Sequence, residues 1–298
     1  MRLACCSLLL FTLTAVPAPT DAAELAPPLM AREEVDLPLI ASFGTIWLVT
    51  ELGLKDQFTA PAFDPLMYQE IGDGDRSAIG QWDPDQATVS DVLLYTSFAL
   101  PFAINGIDDL VWRNDRQDAP RWFWTDAVVL LEAVFLAGAI TNMAKWAFTR
   151  YRPYMYIPYA DVETYSEILR HEDERVRDEF EEAVEDNDAA LSFWSGHSAL
   201  TFSAMTASAT LMTYKHLNDH PAPLIAMWGG TIAYGLTVAI LRVRSGKHFP
   251  SDVIVGGVVG AACGLVIPAL HRNRMAMPVA IAPYATREGG GVGVTALW

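Results

Sequence analysis

Apolar residues gather along this chain in six stretches of helical length, 37–52, 92–107, 127–144, 198–214, 221–241 and 253–270, each dense in alanine, leucine, valine and glycine. Runs this long outlast ordinary strands, and no convincing apolar–polar alternation occurs within them, so they predict helices. The stretch 55–90 between the first two is rich in aspartate, proline and glycine and predicts an ordered loop. Between 161 and 188 the pattern changes: Tyr165, Leu169, Val176, Phe180 and Val184 recur at roughly helical spacing in a polar background, which predicts an amphipathic acidic helix. Past His271, the segments 278–284 and 291–298 flank Arg287-Glu288-Gly289-Gly290 and predict two short strands or a flexible tail. No internal repeat is evident. The expected fold is all-α, a bundle of about six core helices over 30–275, with 161–188 as an insertion and 276–298 as a strand-like tail.

The first residues read differently. Arg2, the apolar run 8–16 and the small residues up to Ala22-Ala23 have the layout of an export signal spanning 1–23, with cleavage near its end. Cys5 and Cys6 would leave with it. Only Cys263 would then remain, inside an apolar helix, so no intrachain disulfide is expected.

With 52% hydrophobic residues in 298, one helical domain can bury a large core. A formal charge of −16 argues against nucleic acid as a partner. Much of that charge is local: 161–188 holds thirteen acidic residues against Arg170, Arg175 and Arg177. Such a segment is either a solvated face or a lid that limits access to a neighbouring site. Trp122-Phe123-Trp124, ahead of the third apolar run, fits an interfacial belt or core packing. His171, His216 and His220 sit in polar stretches, match no metal-ligand spacing and are expected at the surface.

Three short islands carry the chemistry. Lys145 and Arg152-Pro153 are the first; Lys145 and Arg152 lie two helical turns apart, so both cations can share one face of a helix end, and Pro153 stops that helix. Ser195-Gly196-His197 is the second. It precedes the run 198–214, which puts serine and glycine at a helix N-terminus, where free N–H groups and the helix dipole favour an anion. The third is Arg242, His248 and Asp252, with Pro250 suited to start the last helix. A carboxylate on one imidazole nitrogen would fix the tautomer and free the other as a nucleophile. Arg244 and Lys247 lie inside the variable stretch of this third island; Lys247, beside His248, is expected as a solvated loop charge, with attraction of anions as the alternative.

In this order and spacing, the islands resemble the type 2 phosphatidic acid phosphatase and vanadium haloperoxidase superfamily, whose pattern reads K-x6-RP, PSGH and SR-x5-H-x3-D. Trp194 stands where proline is usual and Leu241 where serine is usual; neither change removes a charged group. The resemblance implies His248 as nucleophile, Asp252 as its orienting partner and His197 as general acid. Lys145, Arg152, Arg242 and the backbone of Ser195-Gly196 would cradle phosphate. It implies a phosphatase that needs no metal or other cofactor, acting on a phosphorylated lipid or a small phosphate ester. Two alternatives stay open: a haloperoxidase holding vanadate in the same cradle, and a non-catalytic envelope protein that only binds phosphate.

Location is less settled by pattern. The runs 221–241 and 253–270 are long enough to span a bilayer, but 37–52 is short and contains Glu51, and the third helix carries Asp126 and Glu132. Cations at 113–121, Lys215 and 272–274 favour alternate loops inside and both catalytic loops outside. A cleaved signal would instead place the mature N-terminus outside and the first catalytic loop inside. The expectation is an exported, periplasmic or envelope enzyme with possible membrane association; the alternative is a six-span membrane enzyme with its site facing the periplasm.

Overall fold

One long helix begins at a residue that ends the preceding loop and satisfies a free amide. Asp83 accepts the N–H of Gln86 at 3.0 Å, and Pro84 supplies the fixed φ of a first helical position. The helix therefore starts at Pro84, a full two turns before the apolar run that announced it. A computed structural model describes the backbone of residues 13–16, 29–112, 118–216, 221–272, 279–286 and 289–297, and side chains between 29 and 272.

Residues 31–271 form one compact unit. Its helices are α1 (Glu33–Leu48), α2 (Asp73–Arg76), α3 (Pro84–Ile107), α4 (Ala119–Ala147), α5 (Ile157–Ala160), α6 (Val162–Leu169), α7 (Glu174–Glu185), α8 (Gly196–His216), α9 (Pro221–Arg244) and α10 (Pro250–Leu270). The six long ones, α1, α3, α4, α8, α9 and α10, correspond to the six apolar stretches. The unit is all-α, as expected. Trp122-Phe123-Trp124 lies inside α4 rather than ahead of it.

α8 is the central helix and packs against α3, α4, α9 and α10. Its sequence is rich in serine, threonine and alanine, and most of it is buried. Two of its hydroxyls find partners on neighbours: Ser203 donates to the Ala133 carbonyl at 2.9 Å, and Ser208 accepts from Asn105 Nδ2 at 2.8 Å. Against α8, helix α10 presents Gly256, Gly260 and Gly264, spaced one turn apart on one face. A Cβ on Gly256 would come 2.5 Å from the Ser195 carbonyl oxygen, and one on Gly264 would come 2.6 Å from that of Ser203. Glycine is therefore what lets the two backbones touch.

The outer helices look away from this core with apolar faces. Ile225, Leu236 and Ile240 on α9, and Ile254, Val258 and Leu270 on α10, are exposed. Among the described residues, five helices are long and apolar enough to cross a membrane: Glu33–Gly53, Pro84–Trp112, Ala119–Ala147, Pro221–Arg244 and Pro250–Leu270. α8 falls outside that set, its serines and threonines lowering its hydropathy.

The loop 55–90 is ordered, with a 3-10 segment Pro65–Glu70 and α2. The acidic insertion forms two helices, α6 and α7, instead of one. Tyr165, Ile168, Phe180 and Val184 from it pack with Trp82, Tyr154 and Ile157 in a hydrophobic cluster, so the insertion is docked by its apolar side and solvated on its charged side.

Residues 1–30 and 272–298 form the second unit. Here β2 (Val279–Thr286) and β3 (Gly289–Leu297) pair antiparallel, and β1 (Leu13–Val16) pairs parallel to β3, in the order β1-β3-β2. The strand-like tail is thus a hairpin. Of the expected export segment 1–23, only Leu13–Val16 is described; the rest, including the cleavage position, lies outside the described residues.

Candidate active site

Pro250 opens α10, and the Asp252 carboxylate accepts the Phe249 N–H at 3.0 Å, which fixes the turn that carries His248. His248 is buried. Its Nδ1 lies 2.9 Å from the carbonyl oxygen of Ser192. A carbonyl only accepts, so Nδ1 carries the proton and Nε2 holds the lone pair. Nε2 is 3.4 Å from Nη1 of Arg152.

This corrects the expected pairing of His248 with Asp252. The carboxylate stands 3.8 Å from Nδ1, beyond hydrogen-bond reach. Asp252 is occupied elsewhere: Oδ2 accepts from Ser192 Oγ at 2.6 Å and Oδ1 accepts from Arg150 Nη1 at 2.6 Å. Asp252 thus positions Ser192, and the backbone carbonyl of Ser192 orients the imidazole. Arg150 is anchored in turn by Asp75 at 2.8 Å.

Lys145 at the end of α4, Arg152, Gly196 and His197 at the start of α8, Arg242 at the end of α9, and His248 all line one cavity of about 260 Å³. The predicted residues from all three islands therefore converge. Ser195 is a partial exception: it is buried, and its N–H donates to the Asp252 carbonyl at 3.1 Å, so that amide is not available to an anion. Gly196 does face the cavity; a Cβ there would meet Lys145 Nζ at 3.9 Å. Trp194 donates from Nε1 to Thr141 Oγ1 at 2.8 Å, tying the loop before α8 to α4.

Three acceptors inside or beside the cavity were not legible as motif residues. Asp91 on α3 lies 2.6 Å from His197 Nε2 and accepts from Arg242 Nη1 at 3.2 Å, linking the second and third islands. Asp188, the last residue of the acidic insertion, pairs with Arg152 Nη2 through its carboxylate, accepts from Arg152 Nε through its carbonyl at 3.0 Å, and sits 3.2 Å from Lys55. Burial opposes its ionisation, but Arg152, Lys145 and Lys55 outweigh that cost and hold its carboxyl well below the usual range. Ser192 is the third.

Lys247 is not the solvated loop charge expected. Its Nζ lies 4.7 Å from the centre of the Trp82 ring and 5.3 Å from that of Tyr154. Burial, with Arg152 and Arg242 next, lowers its pKa to about 8. Arg244, the last residue of α9, is exposed. His171 is exposed; His216 is only partly so and pairs with Asp108 at 2.8 Å. His220 lies outside the described residues.

The cavity can hold a tetrahedral oxyanion among Lys145, Arg152 and Arg242, with one imidazole nitrogen poised beside it and a second imidazole backed by a carboxylate. A family model described as the PAP2 superfamily matches residues 126–276, which covers all three islands. No curated protein and no solved structure gives a significant match.

Proposed function

Because the chain belongs to the PAP2 superfamily, we propose that it is a phosphatase that hydrolyses phosphate mono- or diphosphate esters through a phosphohistidine, without a metal at the reacting phosphate. The observation that carries this reading is the state of His248. Its Nδ1–H is held by Ser192, leaving the Nε2 lone pair beside Arg152 in a cavity also lined by Lys145, Arg242 and His197.

The reaction balances on these groups. Nε2 of His248 attacks phosphorus as the ester P–O bond breaks, and His197 gives a proton to the departing oxygen. Lys145, Arg152 and Arg242 meet the charge on the phosphoryl oxygens. A water then attacks the phosphohistidine while His197 takes its proton; the P–N bond breaks and neutral His248 returns. Burial, then Arg242, lower the His197 pKa to about 3; Asp91, bonded to it, opposes that shift and favours the protonated imidazole needed for the first step.

A lipid ester is the favoured substrate class. An apolar groove of about 590 Å³ lined by Phe202, Leu236, Ile240, Val253, Ile254 and Val258 reaches Val243 and Pro250, next to Arg242 and His248. Together with the exposed apolar helix faces, it supports a bundle that spans the membrane with acyl chains beside α9 and α10.

The test is phosphate release from a panel of lipid and soluble esters in EDTA, for the intact chain and for His248→Ala. Turnover lost in the variant, with phosphohistidine trapped only in the wild type, is expected. Turnover that survives His248→Ala sinks the mechanism. Halide oxidation on adding vanadate, with no ester hydrolysed, would assign the cradle to vanadate instead.

A further inference from the structure

We infer that Asp36, Glu132 and His271 form a site for one divalent transition-metal ion of the zinc class, separate from the phosphate cavity. The three come from distant parts of the chain: Asp36 from the first turn of α1, Glu132 from the middle of α4, and His271 from the C-terminal cap of α10. The run of α4 from Glu132 to Lys145 is roughly 20 Å at the helical rise, so the phosphate chemistry does not use these residues.

All three are more than nine-tenths buried, with 3%, 4% and 8% exposure for Asp36, Glu132 and His271. His271 Nδ1 lies 2.9 Å from the Ile267 carbonyl oxygen and must donate to it. This leaves Nε2 directed at the two carboxylates, 3.1 Å from Asp36 Oδ2 and 3.3 Å from Glu132 Oε2. Glu132 Oε2 accepts no hydrogen bond. A buried carboxylate oxygen without a donor is costly, and two carboxylates on one neutral imidazole repel unless a positive charge lies among them.

A proton on Nε2 can point along only one of the two lines. A metal ion serves all three donors at once. Tetrahedral zinc with bonds of about 2.0–2.1 Å separates its ligand atoms by about 3.3 Å, which matches the two distances above, and the three donor atoms all lie within 4.8 Å of one another. Two carboxylates and a neutral imidazole also neutralise a dication. The bond from Nδ1 to a backbone carbonyl is the outer support that metal-bound histidines usually have. The mixed nitrogen and oxygen set selects zinc-like ions over magnesium or calcium. Such an ion would pin the start of α1 and the end of α10 to α4. The Arg32 backbone N–H donates to Asp36 Oδ2 at 2.6 Å, and the competing arrangement to a metal is a protonated His271 held between two acids.

The test uses the full chain in detergent, stripped with a chelator, reloaded with zinc, washed and assayed for metal by mass spectrometry. About one zinc per chain is expected, with water in the fourth position of a three-ligand site, and Glu132→Gln and His271→Ala should each lose it. Cobalt in place of zinc should give visible bands of a four-coordinate ion that both variants lack. A His197→Ala/His248→Ala double variant keeps its zinc, which separates this site from the phosphate cavity. Glu132→Gln is nearly isosteric, and its circular dichroism reports whether the fold survives. Wild-type protein that retains no zinc or cobalt overturns the proposal and leaves the protonated histidine. So does a folded Glu132→Gln that retains a full complement.

Discussion

Asp188 holds Arg152 from two sides, its carbonyl oxygen 3.0 Å from Nε and its carboxylate on Nη2. An anion supplied by the protein therefore occupies a guanidinium that the phosphate reading reserves for substrate. The carboxylate also neutralises part of the charge of Lys55, which lies 3.2 Å away. Because Asp188 ends the acidic insertion, the insertion reaches the site with one residue rather than covering it as a blanket.

Asp188→Asn keeps the carbonyl contact and removes the internal anion. Inorganic phosphate should then inhibit more strongly, by about tenfold for the loss of one competing charge contact of about 1.4 kcal/mol. Product-inhibition constants on the variant and the parent decide it. Weaker inhibition would mean that Asp188 acts mainly by positioning Arg152.

The state of His248 predicts an unusual acid limb. Burial, then Arg152, Arg242 and Lys145, hold its imidazole well below the ordinary range. The sign follows: a base with a lowered pKa stays neutral, and nucleophilic, at acidities where a solvated histidine is charged. As pH falls from about 7 to 5, kcat/KM corrected for the ester's own ionisation should show no loss centred on the ordinary histidine value of about 6.5, while any fall as pH rises belongs to the general acid His197. Arg152→Gln removes one of the cations that hold the His248 value down and should move the inflection back toward the ordinary one; an inflection near the ordinary value already in the parent would show that solvent or substrate restores it.

How far the sequence carried the fold and the site can be argued from particular residues. The six long helices were legible because each keeps an apolar run of helical length. Their starts were not: Pro84 and Ala119 open with polar or aromatic turns that hydropathy does not mark, and α6 and α7 share one pattern broken only by the turn after Leu169. In the site, the residues concentrated in three islands were legible, and all but the amide of Ser195 face or support the cavity. Asp91 was not, since a lone carboxylate gains meaning only when α3 lies beside His197. Ser192 could not be, because the atom that matters is a backbone carbonyl. His248 and Asp252 are one helical turn apart, and that spacing suggested a direct bond; the capping role of Asp252 takes the carboxylate away from the ring.

The ends that meet at the cavity also constrain topology. The C-terminal ends of α4 and α9 and the N-terminal ends of α8 and α10 carry Lys145, Arg242, His197 and His248, and Glu51, just past α1, lines the same cavity. In a spanning bundle, the start of α1 then lies at the opposite surface from the site. A site facing the periplasm is incompatible with cleavage after residue 23, because α1 would have to begin in the cytoplasm. We therefore expect residues 1–23 to remain on the mature chain and Ser77→Cys, on the cavity side, to react with a membrane-impermeant maleimide in intact cells. Mass spectrometry of the mature N-terminus and the labelling pattern check both. A cleaved chain with Ser77→Cys still labelled from outside would remove α1 from the spanning set.

The glycine face of α10 gives the sharpest structural prediction. Gly260 lies so close to the Ala199 carbonyl that an added Cβ would overlap its oxygen, and the obstacle is backbone rather than a side chain that can turn away. Gly260→Val must push α10 from α8, and the displacement is transmitted to the shared N-terminal end of the contact, where Ser195 and His197 on α8 face His248 and Asp252 at the start of α10. Overpacking of this kind usually costs about 1–3 kcal/mol, and more where backbone must move. The thermal midpoint should fall and activity should be lost together. Gly229→Ala is the control, because nothing lies within 4 Å of a Cβ there; it should leave activity unchanged and replace a glycine inside α9 with a better helix former. A Gly260→Val protein with full activity would mean that α8 and α10 need not touch for the two histidines to meet.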